Sequence, residues 1–174
     1  MKFIADFKMN YIIDNCSLVN LANGGLLDVC TRLPHKFYVT PLVYHKECTS
    51  CKGEVANMIA AGALNLLDFE PGIEDFIDLA NQFSIDDGEC ESILACRENG
   101  FALVSDDAAA RKCANALLGV ANCTGSLGLI KQLTHDELIQ CNEAVTAYHV
   151  MKECGAFLPR WPAPEIYLCK EESL

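Results

Sequence analysis

Four acidic positions stand at or near the ends or starts of expected elements, where a divalent cation could hold them together. Asp14 closes a short apolar run, and Glu47 lies about two turns into a helix-forming segment. Glu89 opens an apolar-periodic helix, and Asp107 follows a second apolar run with Asp106 beside it and Arg111 one turn on. In a parallel α/β sheet, side chains at strand C-termini meet in one crevice. Carboxylates gathered there repel one another unless a cation neutralises them. Taken singly, each acid also has an ordinary reading. Asp14, Asp86 and the Asp106-Asp107 pair could cap helices. Glu47 could be a solvated helix residue, and Glu89 could simply favour the helix dipole. Arg111 reads equally as a phosphate contact or as a partner of Asp107. The metal reading gains because all four acids fall where one crevice is expected.

The elements that must position these acids alternate between strand and helix. Tyr11-Ile12-Ile13 reads as a strand running into a helix from Asn15 to Ala22, broken by Gly24-Gly25. Residues 26–33 form a short helix ended by Pro34. Residues 36–40 form the second strand, and Pro41 suits the first turn of a helix carrying Val43, His45, Lys46 and Glu47. A weak helix over 54–63, a third strand over 64–69 and a helix from Pro71 follow. The helix opened by Asp86-Asp87-Gly88-Glu89 leads to a fourth strand over 101–104. A fifth strand is expected over 120–123, then a glycine-rich turn into a helix. Thr134 and Glu137 have capping-box spacing for a last helix running to about Cys154. The order implies an α/β fold. It has no internal repeat, a main domain over 1–155, and a proline-rich tail over 156–174 that packs on the domain or on a partner.

Composition narrows the class. The chain has 174 residues, 51% of them apolar, which suits one domain with a substantial core. No apolar run reaches the roughly 18 residues needed to span a membrane. The charged start Met1–Asp6 lacks the apolar stretch of an export signal. Residues 1–10 are otherwise mixed and could add an edge strand. The eleven cysteines fall mostly inside helix and strand patterns, as at Cys90, Cys96 and Cys113. They read as small buried hydrophobes and reduced thiols of a cytoplasmic protein. The formal charge of −11 speaks against a general nucleic-acid binder. It leaves room for a polyanion approaching through a bound cation and a small basic rim.

Several segments together resemble the PIN-domain family, the nuclease fold of VapC-type toxins. They are Ile13-Asp14-Asn15-Cys16-Ser17, Thr40-Pro41-Leu42-Val43-Tyr44-His45-Lys46-Glu47, Gly88-Glu89-Cys90-Glu91, and Ser105-Asp106-Asp107 with Ala110-Arg111. The subgroup with a Gly-Glu-x-Glu helix, an Asp-Asp-x-x-x-Arg turn and a Gly-x-x-Gly-Leu turn, here Gly125-Ser126-Leu127-Gly128-Leu129, is the most similar. The resemblance covers roughly 11–155. It implies a three-layer α/β/α sandwich around a mostly parallel sheet of about five strands. It further implies Mg2+- or Mn2+-dependent cleavage of RNA phosphodiester bonds. By position, Asp14, Glu47, Glu89 and Asp107 would be the catalytic, metal-holding quartet, with Asp106 accessory or substitute. Arg111 and Lys46 would meet the substrate, and Ser105 or Asn15 would hold a carboxylate or a metal-bound water. An antitoxin-like inhibitor protein and a homodimer belong to the same implication.

The remaining motifs read as structural. Cys48-Thr49-Ser50-Cys51 is expected in mid-helix and has no second pair to complete a zinc site. His35, His45, His135 and His149 share no ligand spacing, and Trp161 reads as an anchor packing the tail onto the domain. Two alternatives to a ribonuclease remain open. One is a catalytically inactive PIN-like module that binds protein or RNA. The other is a phosphotransfer protein, which Asn15-Cys16 after Asp14 and the late acidic pair disfavour.

Overall fold

The computed structural model describes residues 8–170. The export-signal reading of Met1–Asp6 and most of the mixed N-terminal decamer lie outside them.

Five strands form one parallel sheet in the order β3-β2-β1-β4-β5. They are β1 (Asn10–Ile13), β2 (Lys36–Val39), β3 (Asn65–Leu66), β4 (Ala102–Val104) and β5 (Cys123–Thr124). Strands buried on both faces need apolar residues at successive positions rather than alternation. In β1, Tyr11 and Ile13 enter the core on one side and Ile12 the core on the other. In β4, Ala102 and Val104 oppose Leu103 in the same way. The first layer contains α1 (Asn15–Asn23), α2 (Leu27–Cys30), α3 (Lys52–Ala60), α7 (Ser126–His135) and α8 (Cys141–Glu153). The second contains α4 (Ile73–Phe83), α5 (Asp87–Asn99) and α6 (Ala108–Leu118). This is the expected α/β/α sandwich.

The chain builds outward from β1 through β2 to β3, then crosses back to place β4 and β5 on the other side of β1. The reversal lies between β1 and β4, where Ile13 pairs with Val104. Open α/β sheets bind ligands in the crevice beyond the strand C-termini at such a switch point. Asp14 and Ser105 are the first residues past the two strand ends.

Local departures from expectation have identifiable causes. The third strand pairs only over Asn65–Leu66 because it is the sheet edge. Residues 120–122 form a 3-10 turn, and the fifth strand is Cys123–Thr124. The segment after Pro41 makes a single π-helical turn, Val43–Glu47, and then stops. Cys48 and Cys51 therefore lie in a connection to α3 rather than in mid-helix, with their Sγ atoms 3.3 Å apart. Thr134 caps nothing. It sits inside α7, and its hydroxyl donates to the carbonyls of Lys131 and Leu168. Glu137 takes a positive φ of 59°, which breaks the expected long helix. The capping box falls instead on Gln140 and Glu143, opening α8. Gly155, with φ 93°, turns the chain out of α8.

Residues 156–170 pack back on the domain through Leu158, Leu168 and Cys169, the last two in or next to α9 (Glu165–Leu168). Trp161 stacks on Tyr148 at 5.7 Å and on Tyr167 at 4.5 Å. Its backbone N–H donates to the Tyr148 hydroxyl. Cys141 and Cys169 form a disulfide, so the reading of all the cysteines as free thiols fails for this pair. Cys30, Cys48, Cys51, Cys90, Cys96 and Cys113 are free and buried, as small apolar side chains are.

Candidate functional site

Asp14 N-caps α1: its Oδ1 accepts from the backbone N–H of Ser17 at 2.9 Å. An N-cap needs a short acceptor side chain on extended backbone, which a strand running straight into a helix supplies. The same geometry buries Asp14 to 2% exposure. Burial raises its pKa to about 6, against the opposing pull of hydrogen bonds from Ser105, Ser17 and Cys16. The Cys16 thiol lies 3.1 Å from Oδ2, and burial together with Asp14 keeps that thiol protonated.

Asp107 N-caps α6 from the neighbouring strand end. Its Oδ1 accepts from the N–H groups of Ala109 and Ala110 at 2.7 and 2.9 Å. The Ser105 hydroxyl accepts from the Asp107 N–H at 3.1 Å and lies near enough to the Asp14 carboxylate to pull its pKa down. One buried serine thus sits beside both acids at the switch point.

Glu47 ends the π-helical turn and reaches α5, where its Oε1 accepts from the Gly88 N–H at 2.9 Å. A Cβ at position 88 would collide with this carboxylate, so glycine leaves room for the Glu47 side chain in this position. Burial raises the Glu47 pKa, with Asp86, Asp14 and Asp87 adding to it. Glu89 shares a capping box with Asp86, its Oε2 accepting from the Asp86 N–H at 3.1 Å. Burial lifts its pKa to about 7, and the charges of Asp86, Asp107 and Asp14 push the same way.

Glu47 and Glu89 lie near enough to the strand-end acids for the charge of Asp14 to raise both of their pKa values, and Asp107 acts on Glu89 in the same way. Among the described residues, no three His, Cys, Asp or Glu side chains converge tightly enough to hold a metal ion. None of the ion pairs among the described residues involves these acids. Each of the four keeps one carboxylate oxygen clear of any backbone N–H. The buried Oδ1 of Asn15, next in sequence to Asp14, has no partner. These are hard oxygen donors, a set suited to Mg2+ or Mn2+.

Asp106 is used differently. Its Oδ2 accepts from Asn20 at 2.8 Å and from the Ser126 hydroxyl, and its Oδ1 accepts from the Ser126 N–H at 2.9 Å. Both oxygens are committed to joining α1 and α7. Arg111 does not pair with Asp107; its guanidinium donates to the Ser105 carbonyl at 3.1 Å and lines a groove with Asp106. Lys46 is exposed beside Glu47.

A sequence family described as a PIN domain matches residues 10–165. The chain belongs to the PIN-domain family. No curated protein and no solved structure matches it. The PIN domain is a nuclease fold whose members commonly bind RNA and generally use divalent metals. No helix among the described residues is long and apolar enough to cross a membrane.

Three residues of this PIN domain's site escape sequence reasoning. Glu91 is 3% exposed, and its Oε2 accepts from the Leu42 N–H at 2.7 Å. It holds the start of the turn that carries Glu47. The signal was present: an acid two residues after Glu89 falls on the buried face of α5, and Pro41-Leu42 exposes a free N–H. Asn20 and Ser126, which hold Asp106, are buried polar residues on helices far apart in sequence. Nothing in the local pattern pairs them.

Proposed function

We propose that this PIN domain is a divalent-metal-dependent ribonuclease of the VapC-like type. The observation that supports this reading is Asp14 and Asp107 just beyond the paired strands β1 and β4, with Glu47 and Glu89 in electrostatic reach of Asp14 and no described ion pair to any of the four. Asp14, Glu47, Glu89 and Asp107 would hold Mg2+ or Mn2+. Such an ion, when bound, activates a water and offsets charge on the leaving oxygen. Asp106, with both oxygens committed, acts as a positioning residue rather than a ligand. Ser105 holds the Asp107 backbone in place beside Asp14. Arg111, steadied by the Ser105 carbonyl, presents positive charge to a phosphate, and Lys46 offers a second, mobile one. With pKa values of about 6 and 7, Asp14 and Glu89 can take up protons near neutrality. Cation binding is therefore expected to release protons.

The test is cleavage of total RNA with Mg2+ or Mn2+, with and without chelator, by wild type and Asp14→Asn. Cleavage that needs the ion and vanishes in the variant supports the reading; cleavage that survives Asp14→Asn sinks it. A second reading is an inactive PIN-like module binding protein or RNA. The separation of the four acids beyond metal-holding distance favours it. Calorimetry with no heat at millimolar Mg2+ or Mn2+ would select it. An antitoxin-like inhibitor protein and a homodimer remain part of the proposal, read by co-purification and light scattering. So does the cytoplasm as its location.

A further inference from the structure

Phe157 is 99% exposed, directly after the α8 exit at Gly155. An unsupported phenyl ring on a loop would be unremarkable, but this loop is tied down on its C-terminal side. Leu158 is buried, the Tyr148 hydroxyl donates to the Pro159 carbonyl at 2.7 Å, and Trp161 is stacked on Tyr148 and Tyr167. Phe157 takes part in none of the aromatic contacts among the described residues.

The ring stands where two grooves meet. One, of about 650 Å³, is shared with Asn15, Asp106 and Asp107 at the acidic crevice. The other, of about 860 Å³, runs from Asp106 past Arg111 and Lys112 to Trp161. Arg160, also exposed, lies between two residues that line the second groove. The chain has only 13 Lys and Arg against 24 Asp and Glu, yet Arg111 and Lys112 both line this second groove without a described ion pair. An occupant that offers a flat face to Phe157 and negative charge to Arg111 and Lys112 fits the second groove. A nucleic-acid strand has both, and its bases present free faces only when unpaired.

Building on the ribonuclease reading, we infer that Phe157 is a stacking platform for one base of single-stranded RNA. The base lies next to the phosphate in the crevice, and the backbone continues along Lys112 and Arg160. The site selects unpaired over paired RNA, since a duplex cannot offer a base face to the ring.

The experiment measures fluorescence anisotropy of a labelled 12-nucleotide RNA, single-stranded and as a duplex, on the full chain carrying Asp14→Asn to suppress cleavage. Adding Phe157→Ala should weaken single-strand binding by about 10-fold and leave duplex binding unchanged. Phe157→Trp should restore it, because any aromatic face serves. Lys112→Glu should weaken binding and flatten its salt dependence by about one ion. Circular dichroism confirms folding, which an exposed ring does not support. Equal single-strand affinity for Phe157→Ala and its parent would overturn the platform and assign the ring to a protein interface. Equal loss for single strand and duplex would overturn the selectivity. Neither result touches the ribonuclease reading, which fails separately if wild type shows no ion-dependent cleavage.

Discussion

Asp14→Asn should make the protein more stable at neutral pH while removing its activity. The Asp14 pKa rises from 3.8 to about 6 on folding, chiefly because the carboxylate is desolvated. A raised carboxylate pKa means that the folded state holds its proton more tightly than the unfolded chain. Asp14 therefore contributes no penalty below about pH 3.8, a growing one up to about pH 6, and its full penalty above that. Two pKa units correspond to roughly 3 kcal/mol. Asparagine keeps the cap to the Ser17 N–H, since Asn and Asp cap helices equally well, and removes only the charge. Urea unfolding in chelator should show a gain of roughly 2–3 kcal/mol for the variant at pH 8 and almost none at pH 4. With Mn2+ at 100 times its dissociation constant, wild type should recover about 2.7 kcal/mol and the variant nothing. A variant that is destabilised at pH 8, or whose difference from wild type does not change with pH, would refute the burial argument.

Further outcomes follow from single contacts. Gly88→Ala should push the flexible Glu47 carboxylate aside, abolishing cleavage while shifting the melting temperature by only a few degrees, about 1 kcal/mol. Glu91→Ala strands the Leu42 N–H and should cost about 2–3 kcal/mol by urea titration, with Glu91→Gln costing less than half of that because its carbonyl still accepts. Cys169→Ser opens the disulfide to Cys141, with a sequence separation of 28. It should lower stability by roughly 3 kcal/mol in thermal melts and abolish their sensitivity to reductant.

The parts of the fold open to prediction were those governed by short-range rules. Unbroken apolar runs marked the strands, because a sheet covered on both faces buries every side chain of Ile12-Ile13 and Leu103-Val104. Asp14, Asp86 and Asp107 marked three helix starts because caps are local. All three cap helices, and for Asp14 and Asp107 the cap leaves one carboxylate oxygen clear of backbone N–H groups, so capping does not exclude the metal reading. What local pattern could not reach was set by partners distant in sequence. The backbone strain at Glu137 moved the last helix start from Thr134 to Gln140. The division of labour between Asp106 and Asp107 depends on Asn20 and Ser126, which lie 86 and 20 residues from Asp106. The role of Glu91 depends on Leu42, 49 residues away.

The most direct test of the crevice is anomalous diffraction from crystals soaked in Mn2+. We expect a peak at the C-terminal ends of β1 and β4, bound by Asp14 and Asp107 with Glu47 or Glu89 drawn in, and Asp106 still bonded to Asn20 and Ser126. A crevice without a peak at millimolar Mn2+, or a peak whose ligands exclude Asp14, would contradict the metal-dependent nuclease.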